Sequence, residues 1–130
     1  MNIVYKKFIN EYDPISVYWN HSGKDVLLEF PESITAIFSE KINRVVVELF
    51  SANNLHFYNL NGELDFSGSL PNMENYQYRG INKSIDSKTG ISFLFHPIAD
   101  SVGNEWRDTE QYELDLKSSN FLGKKLGIYR

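Results

Sequence analysis

Apolar and polar positions follow a clear pattern in the middle of the chain. Arg44–Phe50 is rich in β-branched residues, and Leu55–Leu60 alternates apolar with polar residues. Asn61 and Gly62 come next, and this dipeptide best tolerates positive φ at both central positions of a type I′ turn. Glu63–Phe66 then leads the chain back. The pattern predicts a three-stranded antiparallel meander.

Other short apolar runs predict strands before and after this meander. They are Ile3–Ile9, Asp25–Phe30, Tyr76–Ile81, Ile91–Phe95 and Gln111–Leu116. Ile91–Phe95 is nearly continuously apolar, which is typical of a central strand buried on both faces. The two tyrosines at residues 76 and 78 are predicted to share one face, because side chains alternate along a strand.

The segment 31–43 fits two structures. Behind Pro31, which suits the first position of a helix, apolar residues recur at helical spacing: Ile34, Ile37, Phe38 and Ile42. The same segment also reads as a short strand and a polar turn, which would add one more step to the meander. The pattern favours the strand, and a short helix is the alternative.

A hairpin pattern occurs twice, at residues 56–64 and 111–123. Each copy is an alternating strand, a polar turn and a shorter apolar return, as in the outer hairpin of a β-propeller blade. The chain has 130 residues and is too short for a propeller ring, which takes about four blades or more. We therefore predict one all-β, mainly antiparallel domain over residues 1–130. In it, two blade-like meanders form a β-sandwich or a flattened barrel, with at most one short helix at 31–43.

The composition narrows the classes of function. The chain has no cysteine, which excludes disulfides, thiolate nucleophiles and cysteine-bound metals. The net charge is −4, which disfavours nucleic acid and anionic lipid as partners and favours a basic protein. The N-terminus has no signal-peptide pattern and no apolar run is long enough to span a membrane. We expect a soluble cytoplasmic protein.

Candidate catalytic and metal-binding residues are few. The histidines, His21, His56 and His96, have no neighbours at a recognised metal-ligand spacing. No serine lies in a G-x-S-x-G motif, and Gly123 and Gly127 lack a nucleotide-binding context. We expect neither an enzyme nor a bound metal or cofactor, and a hydrolase built on scattered carboxylates is the least favoured hypothesis.

Charge is unevenly distributed towards the C-terminus. Residues 100–116 include six acidic residues and one arginine, whereas residues 117–130 include four basic residues and no acidic one. An aromatic side chain amid carboxylates suits a basic protein surface, because the charges speed association and the aromatic ring adds buried area. The predicted partner-binding residues are Asp100, Glu105, Trp106, Asp108, Glu110 and Glu113. Alternatively, Trp106 caps the core and the acids keep an exposed loop soluble. Trp19 is predicted to lie in the core.

Two stretches, VVVELFSANNLHFYNLNGEL and EQYELDLKSSNFLG, stand out in this acidic, cysteine-free, aromatic-rich chain. With these features the chain resembles the small immunity proteins that bacteria pair with polymorphic or contact-dependent growth-inhibition toxins. The resemblance implies a cytoplasmic protein that binds and blocks the toxic domain of a neighbour's effector, often through an acidic face against a basic nuclease. It assigns no residue roles. The alternative is a β-barrel or sandwich that binds a small molecule in an aromatic-lined interior.

Overall fold

The computed structural model describes residues 1–98 and 108–129. Over these residues the chain forms eleven strands in three antiparallel sheets, and no helix is present among them. The described residues thus contain no helix that could span a membrane. Backbone contacts group the chain into an N-terminal unit, Met1–Leu70, and a C-terminal unit, Pro71–Arg130. That residues 1–130 form a single domain stays a prediction.

The first sheet of the N-terminal unit has three strands in sequence order. They are β1 (Val4–Phe8), β2 (Pro14–His21) and β3 (Lys24–Glu29). Ser22 and Gly23 join β2 to β3 and both have positive φ, 52° and 80°, as a type I′ turn requires. The strands at Ile3–Ile9 and Asp25–Phe30 are confirmed, but the sequence did not predict that they form a sheet of their own.

The second sheet of this unit is a four-stranded meander, again in sequence order. Its strands are β4 (Ile34–Ser39), β5 (Arg44–Leu49), β6 (Asn54–Tyr58) and β7 (Leu64–Ser69). The predicted meander at residues 44–68 is confirmed. The choice of a strand over a helix in segment 31–43 is confirmed as well, because β4 adds the expected further step.

The turn between β6 and β7 differs from the prediction. Gly62 has a φ of 87°, but Asn61 is not among the residues with positive φ, so the turn is not type I′. The Gly62 N–H donates to the Asn59 carbonyl at 3.0 Å, and the Asn59 side-chain oxygen accepts from the N–H groups of Asn61 and Glu63. The Asn59 side chain thus holds a wider loop, in which only glycine needs the left-handed conformation.

The two sheets of the N-terminal unit share a hydrophobic core. Val17, Trp19 and Val26 of the first sheet belong to the same buried cluster as Val45 and Val47 of the second. Trp19 is fully buried, which confirms its predicted place. Alternation along the strands brings these side chains to the inner faces, so this unit is a small sandwich.

The C-terminal unit is a second four-stranded meander. Its strands are β8 (Tyr76–Lys83), β9 (Ile91–Pro97), β10 (Glu110–Leu114) and β11 (Leu122–Ile128), in sequence order. Ile91, Phe93 and Phe95 are fully buried on the central strand β9, as predicted. The repeated hairpin pattern corresponds to β6–β7 in one meander and β10–β11 in the other. The all-β antiparallel prediction with two blade-like meanders is confirmed, and no sheet of the described residues closes into a barrel.

Candidate functional site

The six predicted partner-binding residues fall in β10 or in the segment before it. Three of them lie outside the described residues: Asp100, Glu105 and Trp106. Asp108 is exposed just before β10, and Glu110 and Glu113 are both buried within the strand. Because side chains alternate along a strand, Glu110 and Glu113 point to opposite faces of β10. These two carboxylates therefore do not share one acidic surface.

Glu110 is held by contacts within its own sheet. Its Oε1 accepts a hydrogen bond from the Tyr112 hydroxyl at 2.6 Å, and its Oε2 lies 3.5 Å from Nζ of Lys125. Burial and then the hydrogen bond to Glu110 raise the pKa of Tyr112. Glu110 joins β10 to β11, and with 9% of its surface exposed it offers little charge to a partner.

The tyrosines of β8 pack on aromatic residues of the neighbouring strands. The ring centre of Tyr78 is 5.4 Å from that of Phe95, and Tyr76 lies edge-on to Tyr112 at 6.4 Å. Tyr76 also meets Phe95 at 6.4 Å, so both tyrosines share one face, as predicted. Such edge-to-face contacts stabilise a sheet by more than the burial of their apolar area alone would.

Glu113, on the other face of β10, lines a cleft of about 510 Å³. Its Oε1 accepts a hydrogen bond from the backbone N–H of Thr89 at 3.2 Å, whereas its Oε2 is buried and has no hydrogen-bond partner among the described residues. Gly123 on β11 allows this close packing, since a Cβ there would lie 2.9 Å from the Glu113 Cβ. We call this space the Glu113 cleft.

Side chains of both charges surround Glu113 in this cleft, and Asp86 and Asp115 add two further carboxylates. Three lysines line it and are exposed: Lys88, Lys117 and Lys124. None of the three forms a salt bridge with the part of the chain that the structure describes. Leu116, which is 40% exposed, adds apolar surface. The sequence showed the basic C-terminal segment but not that two of its lysines flank a buried carboxylate.

The hairpin between β1 and β2 presents large apolar side chains to solvent. Phe8, Ile9 and Tyr12 are 45%, 65% and 82% exposed. The turn is nevertheless ordered by its own hydrogen bonds, from the Ile9 N–H to the Asp13 carbonyl and from the Tyr12 N–H to Asn10 Oδ1, each at 2.9 Å. We call residues Phe8–Asp13 the hairpin tip.

The hairpin tip also borders a cleft of about 430 Å³, lined by Tyr5, Pro14 and Ile34 among others. Two carboxylates, Glu11 and Asp13, belong to the tip. The apolar run Ile3–Ile9 predicted a strand here, and no role was predicted for residues 10–13. Large apolar residues at turn positions, where polar residues are usual, were the feature that marked it.

The histidines do not form a metal site in the described part of the chain. No group of three or more histidine, cysteine, aspartate or glutamate residues there could hold a metal ion. The Nδ1 of His56 lies 3.0 Å from the Tyr58 hydroxyl, and burial lowers the pKa of His56. The Nδ1 of His96 lies 3.2 Å from the Thr109 hydroxyl. Two of the three histidines are thus accounted for by local hydrogen bonds.

No protein-family model matches the chain, and no curated protein or solved structure is similar enough to count as a match. The function is therefore inferred from the residues themselves.

Proposed function

We propose that this chain is an immunity protein, which binds a cognate bacterial toxin domain in the cytoplasm and neutralises it. The toxin is of the polymorphic or contact-dependent growth-inhibition type. The observation that carries the proposal is the hairpin tip, Phe8–Asp13, where an ordered turn exposes three large apolar side chains. Clustered exposed apolar side chains of this kind mark protein-binding surfaces.

The order of the hairpin tip favours tight binding. A turn that its own hydrogen bonds already hold loses little conformational entropy when a partner covers it. Tyr12 is the most exposed of the three large apolar side chains of the tip, and tyrosine is enriched among the residues that contribute most to binding energy. Burial of Tyr12 and Ile9 against an apolar patch of the toxin would supply the affinity.

The negative charge of the chain and of the hairpin tip favours a basic partner. The chain carries a net charge of −4, and Glu11 and Asp13 place two carboxylates beside the apolar side chains of the tip. Complementary charge raises the association rate and disfavours acidic competitors. A toxin that binds nucleic acid has a basic active site, and acidic side chains of an inhibitor can take the place of phosphate groups there.

The acidic segment before β10 is proposed as a further contact. Asp108 is exposed, and it continues the segment with Asp100, Glu105 and Trp106, for which partner contact remains our prediction. Glu110 and Glu113 have buried side chains. Their part in the proposal is to support β10, from which the segment extends.

The alternative function, a small-molecule site inside a β-barrel or sandwich, has less support. None of the sheets among the described residues closes into a barrel. In the N-terminal unit, the space between the sheets is filled by buried side chains such as Trp19, Val45 and Val47.

The proposal is tested by capturing the partner protein and by measuring whether the chain restores growth in its presence. The tagged chain is used to capture proteins from a lysate of the source bacterium, and each captured protein is then expressed alone and together with the chain. We expect a basic protein that arrests growth by itself and is harmless in the presence of the chain. High salt should weaken the capture, because ions screen charge contacts.

Matched variants connect the result to the hairpin tip. Ile9→Ser combined with Tyr12→Ser should abolish both capture and rescue of growth. Leu27→Ser is the control, since Leu27 is 52% exposed on β3 but lies outside the tip, and it should behave like the unaltered chain. A double variant that rescues growth as well as the control, or captured proteins that never arrest growth, would contradict the proposal.

A further inference from the structure

The hairpin tip lines one side of a cleft in the N-terminal unit, and the start of β4 lines the other. The space between them is about 430 Å³, and we call it the tip cleft. Three of the residues that line it are aromatic: Tyr5, Phe8 and Tyr12. Phe8 and Tyr12 are also among the exposed apolar side chains on which the proposed function depends. A partner that covers the hairpin tip therefore covers this cleft as well.

Hydrogen bonds shape the tip cleft before any partner binds. The Tyr5 hydroxyl accepts from the Ala36 N–H at 3.0 Å, which joins β1 to β4. The Asn10 side-chain oxygen accepts from the Tyr12 N–H at 2.9 Å and holds the turn. A cleft that is already formed loses little conformational entropy when a side chain enters it.

Charge in the tip cleft has a single sign. Glu11 is the only charged residue among the described residues that line it, and its exposed carboxylate forms no salt bridge with that part of the chain. Lys6 and Lys7, which are close in sequence, do not line the cleft. Lys7 pairs with Glu29 at 3.3 Å, and Lys6 lies over the Tyr18 ring at 4.7 Å. The lining therefore offers a cation one carboxylate and no competing positive charge.

The lining favours arginine over lysine as this cation. A guanidinium group is planar, packs on aromatic rings and binds a carboxylate through two parallel hydrogen bonds. It has five N–H donors, and the hydroxyl groups of Ser33 and Thr35 line the cleft as acceptors besides Glu11. A lysine ammonium has three donors and is more strongly hydrated, so its transfer into an aromatic cleft costs more.

We propose that the tip cleft binds an arginine side chain of the toxin, with the guanidinium on Glu11 and among the rings of Tyr5, Phe8 and Tyr12. The inference rests on the proposed function, because it describes how the hairpin tip holds its partner. If this arginine also holds a phosphate group of the toxin's substrate, its capture in the tip cleft inhibits the toxin directly.

Nuclear magnetic resonance titration of the isotope-labelled full chain tests the cleft without the toxin. The probe is the blocked tripeptide acetyl-Gly-Arg-Gly-amide, at constant ionic strength because salt screens charge contacts. Two further peptides carry lysine or citrulline in place of arginine, and citrulline keeps the shape of arginine without its charge. We expect saturable amide shifts at Tyr5, Glu11 and Thr35 with the arginine peptide. The lysine peptide should bind several-fold more weakly, and the citrulline peptide at least about tenfold more weakly.

Matched variants connect the binding to the residues of the tip cleft. Glu11→Gln should weaken binding of the arginine peptide about tenfold. Glu40→Gln removes the same charge from an exposed residue outside the cleft and should have no effect. Tyr12→Leu keeps an apolar side chain but removes the ring, so binding should weaken about threefold. All three residues are exposed, so each variant should fold, and its amide spectrum shows whether it does.

Three results would overturn the proposal. One is the absence of saturable shifts up to ~20 mM arginine peptide, a concentration that would detect millimolar affinity. Another is a lysine or citrulline peptide that binds as tightly as the arginine peptide, because the cleft would then accept any cation or any long side chain. The third is equal affinity of Glu11→Gln and Glu40→Gln for the arginine peptide, which would exclude a role for the Glu11 carboxylate.

The proposed function and this inference fail in different experiments. If the captured proteins never arrest growth but the arginine peptide binds in the tip cleft, the immunity function is wrong and the cleft still binds arginine. If growth rescue requires Ile9 and Tyr12 but the arginine peptide does not bind, the immunity function stands and the arginine site is wrong.

Discussion

Trp19 connects the core of the N-terminal unit to the loop between β6 and β7. Its side chain is fully buried among apolar residues of both sheets, and its Nε1–H donates to the Leu60 carbonyl at 2.8 Å. Trp19→Phe keeps an aromatic ring in the core but removes the donor. The Leu60 carbonyl would then lose its partner at a partly buried position.

The expected loss of stability in Trp19→Phe is the sum of two contributions. An unsatisfied buried carbonyl costs about 1–3 kcal/mol, and the smaller ring leaves unfilled space that adds about 1 kcal/mol. The free energy of unfolding should therefore fall by about 2–4 kcal/mol, a large part of the 5–15 kcal/mol that is usual for a protein of this kind. The loop held by Asn59 should also become less ordered, because Trp19 is its anchor to the first sheet.

Urea unfolding followed by far-ultraviolet circular dichroism measures this loss. The midpoint should fall while the slope of the transition stays the same, since the fold is kept. Tyr18→Phe is the matched control on the same strand: the Tyr18 hydroxyl donates to Asp25 at 2.6 Å on the exposed side of β2, so its removal should cost less. Equal losses for the two variants would refute the anchoring role of Trp19.

Three further predictions concern a turn, a histidine and a charged contact. Gly62→Ala should reduce stability by about 1–3 kcal/mol in thermal unfolding, because φ is 87° and the new Cβ would lie 2.5 Å from Cγ1 of Val26. Gly23→Ala, with a similar φ of 80° but open space, should lose less, and an equal loss would exclude the steric cause. Burial lowers the pKa of His56, so the unfolded state binds the proton more tightly and stability should fall as the pH drops below the ordinary histidine value of 6.5. His56→Gln should flatten this dependence between about pH 5 and 7, and an unchanged slope would contradict it. Asp108→Lys should slow association with the captured toxin several-fold at low salt and much less at high salt, as stopped-flow fluorescence would show. The same effect at both salt concentrations would argue against a role for its charge.

Local patterns in the sequence were enough to predict most of the strands. A β-branched run such as Arg44–Phe50 and the apolar run Ile91–Phe95 favour extended backbone in any fold that buries them. The similarity of residues 56–64 to residues 111–123 correctly identified the last hairpin of each four-stranded meander. In segment 31–43 the strand was preferred because it continued the neighbouring meander, and β4 confirms that choice.

The candidate sites depended on contacts between residues distant in sequence. Glu110 and Glu113 both belong to the acidic stretch, yet Lys125 on β11 pairs with the first and the Thr89 backbone holds the second. The composition of this segment suggested one acidic surface. In the folded sheet, side chains alternate along β10, so Glu110 and Glu113 lie on opposite faces. The Glu113 cleft also required Gly123, whose importance lies in the absence of a side chain.

The sequence by itself determined that this protein is built of antiparallel meanders, because β propensity and alternation act between near neighbours. The tertiary structure decided which side chains stay exposed. Ile9 and Tyr12 look like ordinary apolar residues until the hairpin tip places them outside the core. Whether a side chain is exposed depends on what packs against it, and those packing partners come from parts of the chain that are distant in sequence.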